Sequence, residues 1–327
     1  TLPCSDLGNY LWSVGERWHL IYFLEDIEEI KIDFQKFSKD IGYEEAYHEN
    51  RKRRNLTPQK YRDCLQGIRR VNNELRRNIV QMVYEAKCGH IPSAFSILDI
   101  LEILYRKILK YSINDIHSKD RDYFILSKGH GCLALYVVLE KFGFFGKKEL
   151  TSFSTHDSLL GEHPDCLKVP GIEASTGSLG HGLAFAAGIA LGLKINKMPN
   201  KVIVLIGDGE CNEGSIWESA HVCRNLNLGN ICAIVDWNHS SEQLLPTDDL
   251  LNKWKSFGWN TFLMNGHSDY DMSRILNKIN FSYDNFPNVI LANTIKGYGV
   301  PMLEGHGKWH HRVPSQSEYE EIMKILS

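Results

Sequence analysis

The sequence predicts an α/β protein, a doubly wound, mostly parallel sheet flanked by helices. Two observations predict it. From about Thr57 onward, apolar runs of strand length alternate with segments whose apolar residues recur at the helical period. The runs at 123–126, 202–206, 231–235 and 288–294 are nearly unbroken in apolar character, as strands covered on both faces are. The helical period is clearest at 97–109 and 183–195.

Residues 1–60 are set apart as an N-terminal helical extension, and 61–327 as the main domain. The extension mixes Trp12, Trp18, Tyr22, Phe23, Phe34 and Phe37 with Glu25, Asp26, Glu28, Glu29 and Asp33, and ends in a polar run. Such aromatics fit a layer packed on the main domain or a docking surface for another subunit. The basic run Arg51 to Arg54 reads as a solvated linker.

The stretch 201–238 carries the chemistry. The run 202–206 stops at Gly207-Asp208-Gly209, and after a helical segment the run 231–235 ends at Asp236-Trp237-Asn238. Parallel strands of a βαβ unit point their carboxyl ends to one edge, where open α/β sheets bind ligands, so Asp208 and Asn238 are expected to meet. Two oxygen side chains with room for waters and phosphate oxygens describe a magnesium site completed by its substrate. An ordinary acidic loop is the alternative. Upstream, three glycines in 176–182 precede a helix, which fits a ligand-facing turn or a plain helix cap.

Composition excludes several classes. With 43% hydrophobic residues the 327-residue chain has enough apolar material for a sizeable core. A formal net charge of −3, without a basic stripe interleaved with aromatics, argues against nucleic acid. Eight cysteines without metal-ligand spacing suit a reducing compartment. The absence of a long apolar stretch or a signal-like start leads to an expectation of a cytoplasmic protein with no membrane partner.

Five blocks in order resemble the N-terminal, diphosphate-binding half of the transketolase family, over about 75–314. They are Ala86-Lys87-Cys88-Gly89-His90; Leu126-Ser127-Lys128-Gly129-His130-Gly131; Gly161-Glu162-His163-Pro164-Asp165 with the run 173–182; the Gly-Asp-Gly unit through Asn238; and Thr294-Ile295-Lys296-Gly297-Tyr298-Gly299-Val300 with Trp309-His310. The resemblance implies the thiamine diphosphate-binding fold, with thiamine diphosphate and Mg2+ as cofactors. Asp208, Asn238 and the main-chain carbonyl of Ser240 would hold the metal. Gly209 and Asn238 would touch the diphosphate, and Gly177 and Leu179 would line the cofactor between diphosphate and aminopyrimidine. His130 and His310 would sit near the diphosphate and reaction centre, and His90 and His163 would reach donor hydroxyls. Among the other histidines, His181 is expected to face the fold, and His311 stands where the family often has glycine.

Two departures bear on substrate preference and on the metal loop. The first histidine is followed by Ile91-Pro92-Ser93 instead of the family's Pro-Gly, and the run 239–243 after Asn238 differs from the usual sequence.

The activity implied is transfer of a two-carbon ketol unit from a ketose, as sugar or sugar phosphate, to an aldehyde. In the family a glutamate on a separate pyrimidine-binding domain activates the cofactor. The sequence ends at Ser327 without that domain, so a second, C-terminal-half subunit is expected, in a heterotetramer for which Glu213 is an interface residue. Rival readings are a subunit for decarboxylation and carboligation of a 2-oxo acid, and a non-catalytic binding subunit.

Overall fold

The computed structural model describes residues 58–242, 245, 249–305 and 309–327. The chain divides into two compact units, Thr1–Arg69 and Arg70–Ser327, and the second carries the sheet. Nearly all of the extension expected over 1–60 lies outside the described residues.

Among the described residues five strands form one sheet: β1 (Tyr123–Leu126), β2 (Val202–Gly207), β3 (Ile231–Trp237), β4 (Asn260–Asn265) and β5 (Asn288–Asn293). Their order is β1-β2-β3-β5-β4, and every pairing is parallel. Leu126 pairs with Leu205, Gly207 with Asp236, and Asp236 with Ala292, so β1, β2, β3 and β5 end side by side. That shared carboxyl edge positions everything that follows.

The central strands are buried on both faces, and their alternation divides the core in two. Phe124, Leu126, Ile203, Leu205, Ile234 and Ile290 pack with the part of helix α1 (Pro58–Ala86) from Leu75 on and with α2 (Ile91–Phe95), α3 (Leu98–Ile103) and α4 (Cys132–Lys141). Val202, Val204, Ile206, Ala233, Val235 and Leu291 pack with α5 (Gly182–Ile195), α6 (Gly214–Asn225) and α7 (Leu250–Ser256). Each fully buried Val, Leu or Ile contributes about 1.5–3 kcal/mol, which explains why uninterrupted apolar runs were needed here.

Three elements differ from expectation. The helix expected over 97–109 is α only over Leu98–Ile103 and continues as a π-helical turn, Leu104–Ile108, closed by the Leu109 amide on the Leu104 carbonyl at 2.8 Å. Helix α5 starts at Gly182, one residue early, because the Ser127 hydroxyl accepts that residue's N–H at 3.1 Å. The edge strand β4, Asn-Thr-Phe-Leu-Met-Asn, was not expected; only Met264 and Asn265 are buried, so it lacks an unbroken apolar run. Among the described residues no helix is long and apolar enough to cross a membrane.

Candidate active site

The Gly-Asp-Gly turn sits where β2 leaves the sheet. The Asp208 N–H continues the ladder by donating to the Asp236 carbonyl at 3.2 Å, and its Oδ1 accepts from the Gly209 N–H at 2.7 Å, capping a short 3-10 turn. Its other oxygen, Oδ2, is buried and has no hydrogen-bond partner. Burial, and then the neighbouring Asp236 charge, push the Asp208 carboxyl up to about 6. A buried carboxylate oxygen without a donor is costly unless a cation meets it.

Asp236, one strand over, was not singled out from sequence and is the centre of the edge. It is fully buried. Its carboxylate accepts from Lys128 Nζ and Thr294 Oγ1, from Ser96 Oγ at 2.8 Å, and from Asn238 Nδ2 at 2.8 Å. Burial alone would raise its pKa, but the Lys128 ammonium and these hydrogen bonds outweigh it and hold the group below the usual carboxylate range. Because Asp236 takes the amide nitrogen of Asn238, the amide orientation is set, with Oδ1 toward the loop, where it accepts from the Ser240 N–H at 3.0 Å. Asp208, Asn238 and Ser240 thus gather at two adjacent strand ends. The signal available in sequence was the spacing Asp-x-Asn at the end of a strand, which puts both side chains on one face.

The glycine-rich loop is held by Glu210, also unrecognised from sequence. Buried Glu210 accepts from Ser127 Oγ at 2.6 Å, the Gly180 N–H at 2.8 Å and the Gly207 N–H at 2.8 Å, tying the ends of β1 and β2 to the loop. Burial raises its pKa, and these donors partly offset the rise. Thr176 Oγ1 donates to the Leu126 carbonyl at 2.7 Å. The approach is close. A Cβ on Gly129 would lie 2.8 Å from the Gly177 nitrogen, and one on Gly177 would lie 2.9 Å from Cδ2 of His163. Leu179 is left 39% exposed on the open side.

The four histidines singled out converge. The His90 ring lies 5.4 Å from His130 and 5.5 Å from His310, and His130 lies 6.3 Å from His310. His163, exposed, packs against Gly177 on a loop whose Gly161 and His163 carbonyls accept from the Tyr136 hydroxyl at 2.9 and 3.0 Å. His311 joins them, 4.5 Å from His90. Lys296 Nζ lies 2.9 Å from His310 Nδ1, and its pKa is lowered by burial and by the Lys128 charge. Lys128 and Lys296 therefore link the acidic edge to the imidazoles. His181 does not face the fold as expected: it is exposed outside the cluster, with its Nδ1 3.1 Å from the Leu179 carbonyl.

Burial first, and then neighbouring positive groups, bring His90 down from the usual 6.5 to about 4 and His130 to about 2. His310 is lowered for the same reasons. These imidazoles are neutral at neutral pH, and each offers one donor and one acceptor. Such groups take up protons in the unfolded chain before they do in the folded one. Stability is therefore full above about 6.5 and falls as pH drops toward about 4. His90→Asn should flatten that decline, measured by urea unfolding at a series of pH values. Equal slopes in both proteins would mean that His90 is solvated.

The tail after β5 is fixed at three consecutive residues. Thr294 reaches Asp236, the Ile295 N–H donates to His267 Nε2 at 2.9 Å, and Lys296 reaches His310. His267 Nδ1 lies 2.8 Å from Asp99, which also pairs with Arg76 at 2.7 Å. A cavity of about 200 Å3 lined by Arg121, Lys168 and Glu173 lies beside the amino end of β1, away from this edge.

The sequence profile described as transketolase, thiamine diphosphate binding domain, matches residues 68–326. The chain belongs to the transketolase family. It is 38% identical over 257 residues to an apulose-4-phosphate transketolase subunit of Phocaeicola vulgatus, covering 77% of this chain and 91% of that protein. It is 32% identical over 238 residues to a 6-deoxy-6-sulfo-D-fructose transketolase subunit of a Clostridium species, covering 71% and 86%. The solved transketolase of Campylobacter jejuni superposes with a TM-score of 0.74 at 26% identity, over 80% of this chain and 43% of that one. The chain thus spans less than half of that transketolase and most of the two subunits. Its fold is the family's thiamine diphosphate-binding fold.

Proposed function

We propose that this chain is the diphosphate-binding subunit of a two-polypeptide transketolase that moves a two-carbon ketol unit from a ketose to an aldehyde. The observation that carries the reading is the bare, buried Oδ2 of Asp208 beside the oriented amide of Asn238. That pair suits a hard divalent cation bearing phosphate oxygens. Asp208, Asn238 and the Ser240 carbonyl would hold Mg2+. Gly209, Asn238, His130 and His310 would hold the diphosphate, and Gly177 and Leu179 would flank the rest of the cofactor. Thiamine diphosphate, when bound, supplies the nucleophilic carbon needed to cleave a bond beside a ketone.

The chain's own residues bind, orient and move protons. His90 and His163 donate to and accept from hydroxyls of the donor sugar. His130 and His310, kept neutral, can accept a sugar hydroxyl's proton only in passing, because burial and the nearby Lys128 and Lys296 charges disfavour the imidazolium and drive the proton onward. A cluster of neutral imidazoles matches a polyhydroxylated substrate better than a short 2-oxo acid, and the two relatives named above are transketolase subunits whose names specify ketose substrates. The partner is a pyrimidine-binding subunit of the C-terminal-half type, in a cytoplasmic heterotetramer.

The test is turnover of the assembled complex with a ketose donor against pyruvate. His130→Ala and His310→Ala should each lower ketol transfer by about 10²–10⁴, the scale of a lost acid–base group. His181→Ala should leave it nearly unchanged. Turnover of pyruvate in place of ketose, or small and equal effects at all three positions, would replace this reading.

A further inference from the structure

The residue after Asn238 departs from the family's usual sequence, and its geometry gives it work to do. His239 adopts φ +60°, the left-handed region that is uncommon for any residue other than glycine. A residue held there needs its surroundings to hold it. Four contacts do so. His239 Nδ1 lies 2.7 Å from Glu242 Oε1, and Nε2 lies 3.2 Å from the side-chain amide of Asn293. The ring rests on Trp237 at 4.7 Å, and Trp237 Nε1 donates to the same Glu242 oxygen at 3.2 Å. The two ring nitrogens thus face two oxygens, Glu242 Oε1 and Asn293 Oδ1, and the tautomer decides which nitrogen donates. One imidazole therefore joins the last residue of β3, the loop after it and the last residue of β5.

The reversal at His239 also sends the chain back on itself, so that the Ser240 N–H reaches Asn238 Oδ1 at 3.0 Å. Where the Ser240 carbonyl faces is decided by the same turn. Resting on the reading of Asp208 and Asn238 as a cation pair, we propose that His239 is a positioning residue for that site. Its imidazole clamps the loop between Glu242 and Asn293 and so fixes the Ser240 backbone against the Asp208 edge. His239 touches neither cation nor substrate in this role.

The test is binding of Mn2+ together with thiamine diphosphate to the full chain. Two readouts are used, electron paramagnetic resonance of free Mn2+ and the melting temperature of the unliganded protein. His239→Asn keeps a residue that tolerates the left-handed region but is too short to bridge both partners, and His239→Gly frees the backbone altogether. Each should weaken Mn2+ binding by about 10–100-fold, the usual cost of losing a group that orients a ligand. Unliganded melting should stay unchanged. Asn293→Ala, which removes the far anchor without touching the loop, should weaken binding about 10-fold. Glu242→Gln retains the acceptor and should bind within about 3-fold of the parent, whereas Glu242→Ala should lose as much as His239→Asn.

Asp208→Ala separates the two levels of the argument. If Asp208→Ala loses Mn2+ while His239→Asn and Asn293→Ala bind like the parent, the clamp is refuted and the cation pair stands. If Asp208→Ala binds like the parent, the cation pair itself is wrong. Equal losses in Glu242→Gln and Glu242→Ala would show that the Glu242 charge acts on the cation directly, and would overturn the positioning role.

Discussion

Asp208→Ala is expected to abolish magnesium-dependent binding of thiamine diphosphate while the fold survives. Asp208 is the one carboxylate assigned to the cation, and losing it leaves Asn238, a neutral amide, and a backbone carbonyl to balance the diphosphate charge. Removing a group that merely orients a ligand costs about 10–100-fold, so removing the charged ligand itself should cost at least about 100-fold. The fold has little to lose. Oδ2 makes no hydrogen bond, and the carboxyl is already disfavoured by burial and by Asp236. The one contact forfeited is the cap on the Gly209 N–H at 2.7 Å, worth about 1 kcal/mol. Removing a desolvated charge offsets it. Calorimetric titration with cofactor, with Mg2+ and then with chelator, gives the affinity, and thermal melting without ligand gives the fold. Parent-like affinity in the variant would remove the central site assignment.

How much of this was legible in the sequence follows from what each residue contributes. Strands β1, β2, β3 and β5 are readable because each is buried on both faces along most of its length and so carries a continuous apolar run there. Strand β4 is not, because an edge strand with four of its six residues partly or fully exposed can carry Asn and Thr. The metal edge was readable as a pattern, since the end of a parallel strand is fixed by where its apolar run stops. What holds the edge together was not. Asp236, Glu210, Lys128 and Lys296 are buried polar residues whose partners are 108 positions away for Lys128 to Asp236 and 83 for Ser127 to Glu210. No local period encodes such pairings. Lys128 and Lys296 lie in the same sequence motifs as the histidines, yet only the folded edge shows Lys128 on Asp236 and Lys296 on His310. His181 differs for a related reason: a histidine heading an apolar helix looks internal, but the loop before it is held at Gly180 by Glu210 and Ser215, and the imidazole is exposed.

The purified chain assayed alone is expected to show no ketol transfer, and to gain it on addition of the pyrimidine-binding subunit. The proposed site would hold a cofactor from one side. Its acids, amides and imidazoles gather at the strand ends, while Leu179 at 39% exposure, Phe185 at 53% and exposed Glu213 face outward around the glycine-rich loop. By family likeness the activating glutamate comes from a different domain, and loss of an acid–base group of that kind costs about 10²–10⁴ in rate. Weak cofactor binding should add to that loss, because the proposed second subunit would supply the contacts on the cofactor's other side. Two copies of each subunit would bury the outward residues and form two sites, so mass measurement of the active fraction should give a heterotetramer. The assay pairs a ketose donor with an aldehyde acceptor, cofactor and Mg2+, using chain freed of any co-purifying protein, with the partner then titrated in. Activity should rise with the partner until the two are equimolar. Robust turnover before any partner is added would mean that a carboxylate within these 327 residues does the work of the family's activating glutamate, and the division of labour proposed between the two polypeptides would be wrong.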